Sequence, residues 1–75
     1  MNDDYYFLAT YFKRKECFFV SEIYDMLIED DFFFTKARIV AAINSFIKAG
    51  YIRPEKIKYR VTSTLAIKKY RWIGK

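Results

Sequence analysis

The stretch Thr35-Lys-Ala-Arg-Ile-Val-Ala-Ala-Ile-Asn-Ser-Phe-Ile-Lys-Ala-Gly-Tyr-Ile-Arg53 decides how this chain reads. Thr35 is a helix N-cap residue, because its hydroxyl accepts from an N–H of the first turn. The spacing predicts a helix over residues 36–48. At 100° per residue, Ile39, Val40, Ile43, Phe46 and Ile47 share one side and form a core face. Gly50 ends the helix as a left-handed residue, and the apolar Tyr51 and Ile52 complete a Schellman-type stop. The opposite side carries Ala37, Arg38, Ala41, Asn44, Ser45 and Lys48.

Upstream, Asn2 or Asp3 caps a first helix over about 3–15, with Tyr5, Leu8, Tyr11 and Phe12 at helical spacing. Acids open that helix and Lys13, Arg14 and Lys15 close it, as the helix dipole favours. Cys17-Phe-Phe-Val20 reads as a short strand. Ser21 is expected to cap a second helix, about 22–30, that buries Ile23, Met26 and Leu27. Glu29, Asp30 and Asp31 carry the wrong sign for its C-terminal end, so it is expected to stop early, with the turn at 31–34. Downstream, Tyr51-Ile-Arg53 leads into a turn at Pro54-Glu-Lys56, and Ile57, Tyr59 and Val61 alternate with Lys58, Arg60 and Thr62 as a returning strand. Two readings of residues 63–75 stay open. One is a fourth helix capped near Thr62-Ser-Thr64, with Ala66, Tyr70 and Ile73 inward. The other is a long strand from Ile67 to Ile73 closing a larger hairpin. The helix is preferred, because Ser63-Thr-Leu-Ala66 lacks good turn residues.

The order helix, short strand, helix, turn, helix, hairpin gives an α+β class and one domain over residues 1–75. It resembles the winged helix-turn-helix family of DNA-binding domains. The residues that carry the likeness are Phe18-Phe-Val-Ser21, Thr35-Lys-Ala-Arg38, Phe46-Ile-Lys-Ala-Gly-Tyr-Ile-Arg53 and Tyr59-Arg-Val-Thr62. The resemblance covers about residues 3–62. In size, and in opening its first helix almost at Met1, the chain is also similar to small bacterial pilus-operon transcriptional regulators. The likeness implies a recognition helix at 36–48 and a basic wing at 51–62 that meets phosphate or the minor groove.

Charge agrees with that expectation. The net charge is +5, but it is unevenly placed. Up to Asp31 there are eight acids and three bases; beyond it, eleven bases and one acid, Glu55. Such asymmetry points to a polyanionic partner for the basic half. Composition also excludes much. There is no His, so the commonest general base and metal ligand are missing, and catalysis and a metal site are not expected. Two glycines cannot build a phosphate-cradling loop, and no cofactor is expected. The longest apolar run, Ile39-Val-Ala-Ala-Ile43, is far too short to span a membrane. The start is acidic, unlike a secretory signal, and a lone Cys17 cannot form an internal disulfide. These features predict a cytoplasmic protein, nucleoid-associated in a bacterial or phage setting. Residues with AT-rich codons outnumber those with GC-rich ones, which suggests phage, plasmid or horizontally acquired DNA.

The functional expectation is therefore a sequence-specific binder of double-stranded DNA, a small transcriptional regulator. Lys36, Arg38, Ala41, Asn44 and Ser45 are expected to face bases, since Ala admits close approach, Arg suits guanine and Asn suits adenine. Lys48, Arg53, Lys56, Lys58 and Arg60 are expected on phosphates or in the wing. The acidic second helix, with Glu22, Asp25 and Glu29 outward, argues against simple DNA docking. The alternative is a winged-helix interaction module of a phage or mobile element, binding a host protein through its acidic and aromatic surfaces. The runs Tyr5-Tyr6, Phe18-Phe19 and Phe32-Phe33-Phe34 exceed what one small core absorbs. Tyr6, Phe33 and Phe34 are candidate contacts of a homodimer. Base stacking by Tyr59 and Tyr70 on single strands is a third reading, set below a core role for these rings.

Overall fold

The computed structural model describes residues 3–55 and 68–74. Along the chain come α1 (Asp3–Lys15), β1 (Cys17–Phe19), α2 (Val20–Glu29), α3 (Lys36–Ala49), β2 (Ile52–Glu55) and β3 (Lys69–Trp72). The strands form one antiparallel sheet in the order β1-β3-β2, with Phe18 opposite Tyr70 and Ile52 opposite Trp72. Three helices with a small antiparallel sheet make an α+β architecture.

Each helix turns one apolar stripe inward. Leu8 and Phe12 of α1, Ile23 and Leu27 of α2, and Ile39, Ala42 and Ile43 of α3 are fully buried. The sheet closes this core with Phe18, Ile52 and Tyr70. Phe12 stacks on Phe18 at 4.9 Å between ring centroids and meets Phe46 edge-on at 6.2 Å. Each fully buried side chain of this size contributes about 1.5–3 kcal/mol, enough to hold three short helices that would be marginal alone. Val40 and Ile47, expected in the core, are half-buried, Ile47 packing against it, and Ala42 is fully buried instead. Met26 is likewise half-buried.

The helix ends explain the local sequence. Thr35 caps α3, its Oγ1 accepting from the Arg38 N–H at 3.2 Å. Gly50 adopts φ 85°, its N–H donates to Ile47 O and the Tyr51 N–H donates to Phe46 O at 2.8 Å, the Schellman pattern. The second helix differs from expectation. Ser21 is not its cap; α2 begins at Val20, and the Phe19 N–H donates to Glu22 Oε1 at 2.8 Å. Pairing of Phe19 with Lys69 holds the chain extended up to that point, so the carboxylate three residues on does the capping. At the other end Asp31 adopts φ 63°, with Asp31 N–H to Ile28 O and Phe32 N–H to Leu27 O closing the same pattern as at Gly50. Asp31 therefore sits at the helix end for its tolerance of the left-handed region rather than for its charge.

The C-terminal sheet corrects the hairpin. The turn expected at Pro54-Glu-Lys56 does not begin at Pro54 or Glu55, which are strand residues opposite Tyr70 and Lys69. Pro54 is tolerated because β2 is an edge strand. The preferred fourth helix is also overturned where it can be seen, because residues 69–72 are the central strand. Tyr70 is inward in either arrangement, but Ile73 is 48% exposed rather than buried. The reason is aromatic: only as a strand does β3 place Tyr70 against Phe18 and Trp72 against Phe46 and Tyr51. The Ile73 and Gly74 N–H groups then donate to Tyr51 O, and a side chain at Gly74 would collide with the Tyr51 ring. The strand expected at 57–61, the cap near 62–64 and the inward Ala66 lie outside the described residues.

Candidate nucleic-acid interface

The core fixes the rotation of α3, so the opposite crest is open. It consists of Ala37, Ala41, Asn44 and Lys48, all exposed. Arg38 and Ser45 lie on one flank, about 90° from the crest's centre, and Lys36 lies on the other. Ser45 is half-buried. The five residues expected to face bases therefore separate into a crest pair, Ala41 and Asn44, and three flanking side chains.

The flanking cations are held. The Arg38 guanidinium pairs with Asp4 of α1 and lies over the Phe34 ring at 5.4 Å. Phe34 in turn stacks on Phe7 at 5.9 Å. Phe34 thus belongs to an internal α1–α3 contact. On the other flank the Lys36 ammonium sits 5.3 Å over the Tyr24 ring of α2. Neither Lys36 nor Lys48 has a carboxylate partner among the described residues. No sequence spacing signals the Asp4–Arg38 pair, whose members are 34 positions apart.

The sheet adds bases in an ordered array. Arg53 and Arg71 stand directly opposite each other on β2 and β3, an unfavourable like-charge pair. Glu55 relieves it, bonding the Arg71 guanidinium and lying 3.9 Å from that of Arg53. That hydrogen bond from Arg71 holds the Glu55 carboxyl below its ordinary range and raises Arg71. The one acid of the basic half is a structural counter-ion. Lys69 sits over the Phe19 ring and Lys68 is exposed. Lys56, Lys58 and Arg60, expected in the wing, lie outside the described residues. Tyr70 is buried and its phenol is raised by that burial, which leaves no face for base stacking. Tyr59 lies outside the described residues.

The acids of α2 are partly absorbed as well. Glu22 accepts from Phe19 N–H and pairs with Lys15 at 3.1 Å; the backbone bond first, with Lys15 adding to it, lowers its carboxyl. Asp30 accepts from the Tyr11 hydroxyl at 2.7 Å, with Arg14 at 3.9 Å. Burial, followed by that Asp30 bond, raises Tyr11. Both acids have partners on α1, Lys15 for Glu22 and Tyr11 and Arg14 for Asp30. Asp25, Glu29 and Asp31 are exposed, as is Asp30 despite its partners. Among the described residues, no helix is long and apolar enough to cross a membrane, and no cluster of three or more His, Cys, Asp or Glu is placed to hold a metal.

Compared with family models, with curated proteins and with solved structures, the chain finds no match. The functional reading rests on these residues.

Proposed function

We propose that this chain is a small winged-helix protein that binds double-stranded DNA as a transcriptional regulator. In this reading α3 enters the major groove and the β2–β3 hairpin is the wing. The observation that carries it is the crest of α3, where Ala37 and Ala41 allow close approach, Asn44 offers a base-reading amide and Lys48 a phosphate contact. Lys36 and Arg38 stand on the two flanks, and Arg53 and Lys68 extend the basic surface across the sheet. The acids that argue against docking on α2 are fewer than the sequence implies, because Glu22 and Asp30 are bonded toward α1.

The test is a gel-shift titration of random duplex at low and moderate salt. Affinity is expected to fall steeply with salt, with a slope that counts neutralised phosphates. Lys48→Ala should weaken binding uniformly across sequences and reduce the slope by about one. Arg38→Ala should cost about 1–3 kcal/mol at a preferred site and relax its sequence preference. Absence of duplex binding at low salt would sink the proposal, and tighter binding to oligo-dT than to duplex would replace it with single-strand recognition. A second reading, a mobile-element module that engages a host protein, draws on the exposed Asp25, Glu29 and Asp31 and on the exposed Phe33. Duplex binding that fails while host protein is retained on the immobilised chain would favour it.

A further inference from the structure

Residues 30–35, between α2 and α3, carry three aromatic side chains with different fates, and Phe34 is the one stacked on Phe7 beside Arg38. Phe32 packs edge-on against Phe7 at 4.7 Å. Phe33 points to solvent and is 81% exposed, the highest value among the large apolar side chains of the described residues. It follows Glu29 and Asp31, both exposed and without an ion pair among the described residues. The molecule thus presents an apolar knob with an acidic border.

A complementary feature lies close by. A groove of about 370 Å³ runs between the start of α2, the first half of α3 and the start of β3. Among the described residues its lining is mostly apolar, from Phe19, Val20, Val40 and Tyr70 with the small Ser21, and Lys36 and Lys68 supply its charge. It is of the size that holds small organic groups in ligand sites. Its chemistry mirrors the knob, with a mostly apolar lining and cationic side chains.

We propose that Phe33 inserts into this groove of a second copy of the chain, and that the insertion is reciprocal. Two observations select this occupant. The acidic border of the knob meets the lysines of the groove, whereas packing the loop against its own copy sets acids against acids. The knob and the groove also lie on neighbouring chain, since three peptide steps from Phe33 to Lys36 span at most about 10 Å. A twofold axis between them lets each copy donate and receive, so the assembly closes at two instead of growing into a filament. Lys36 becomes an interface residue in the dimer, while Asn44 and Lys48 stay open on the crest. Tyr6, also exposed, sits about 100° around α1 from Phe7, on which the loop packs, and plays no part in this contact.

The experiment is sedimentation velocity of the full chain without nucleic acid, over a wide range of concentration. Its outcome is independent of whether the chain binds DNA. The mass is expected to rise from one copy to two and stop. Phe33→Ser, which removes no core contact, should raise the dimer dissociation constant about tenfold or more with an unchanged circular dichroism spectrum. Lys36→Glu should do the same from the groove side. Mixing the two variants should restore part of the association, because one knob then meets one open groove. Wild-type chain that stays monomeric, a mass that grows beyond two, a dimer indifferent to Phe33→Ser, or a mixture that remains monomeric would each overturn the proposal.

Discussion

Helices α2 and α3 solve the same problem, one with acidic residues and the other with neutral ones. Both follow an extended residue, both need their first N–H groups satisfied, and both end on a left-handed residue. In α3 the devices are Thr35 and Gly50, local and neutral, so its outward face is free to carry what binding requires. In α2 they are Glu22 and Asp31, and Asp30 is bonded to Tyr11. Two of the five acids in and just after α2, Glu22 and Asp30, have structural partners. An acidic helix beside a basic one therefore need not be a docking surface throughout: the charges of Glu22 and Asp30 serve a cap and neighbouring side chains, while Asp25, Glu29 and Asp31 keep theirs exposed.

The largest contrast is between the core side of α3 and its open crest. Ile43 is fully buried, so Ile43→Ala should cost about 2–5 kcal/mol in urea unfolding, while Ala41→Ser on the crest should stay within about 0.5 kcal/mol. Equal effects would mean that α3 is rotated differently. The two stops come next. Gly50→Ala should cost about 1–2 kcal/mol, since a Cβ is strained at φ 85° whatever the space around it. Asp31→Gly should gain about 0.5 kcal/mol, because it relieves the same strain at φ 63°.

The finest discrimination is between the two caps, through pH. Thr35→Ala and Glu22→Gln should each cost about 1 kcal/mol at neutral pH. Only the second is titratable. The folded carboxyl of Glu22 is held below its unfolded value, so its contribution is complete above about pH 4.3 and disappears as pH falls through the folded value. The stability difference between wild type and Glu22→Gln should therefore shrink on acidification, while that for Thr35→Ala stays constant in chemical denaturation. A constant difference for both would show that Glu22 acts through packing and not through its charge.

Three helices, the stop at Gly50, the cap at Thr35 and most of the inward sides of α1 and α3 could be read from the sequence alone, whereas the fourth helix preferred at the C-terminus is a strand where it is described. The features read correctly follow from hydrogen bonds and spacings within about five residues, which a linear reading can see. That reading misplaced the α2 cap, because Phe19 is held extended by a strand some fifty residues away, and that demand outweighs the hydroxyl of Ser21. The sheet was legible only as competing alternatives. A strand is decided by what it pairs with and packs on, and Tyr70 and Trp72 find Phe18, Phe46 and Tyr51 only once the helices are assembled. The candidate binding surface divides in the same way. Its chemistry, small residues with Asn44 and Lys48 opposite an apolar face, was written in the periodicity of α3. The fate of its flanks, Arg38 held by Asp4 and Phe34 and Lys36 set between Tyr24 and a groove, was decided by tertiary structure, because those partners come from other elements of the chain.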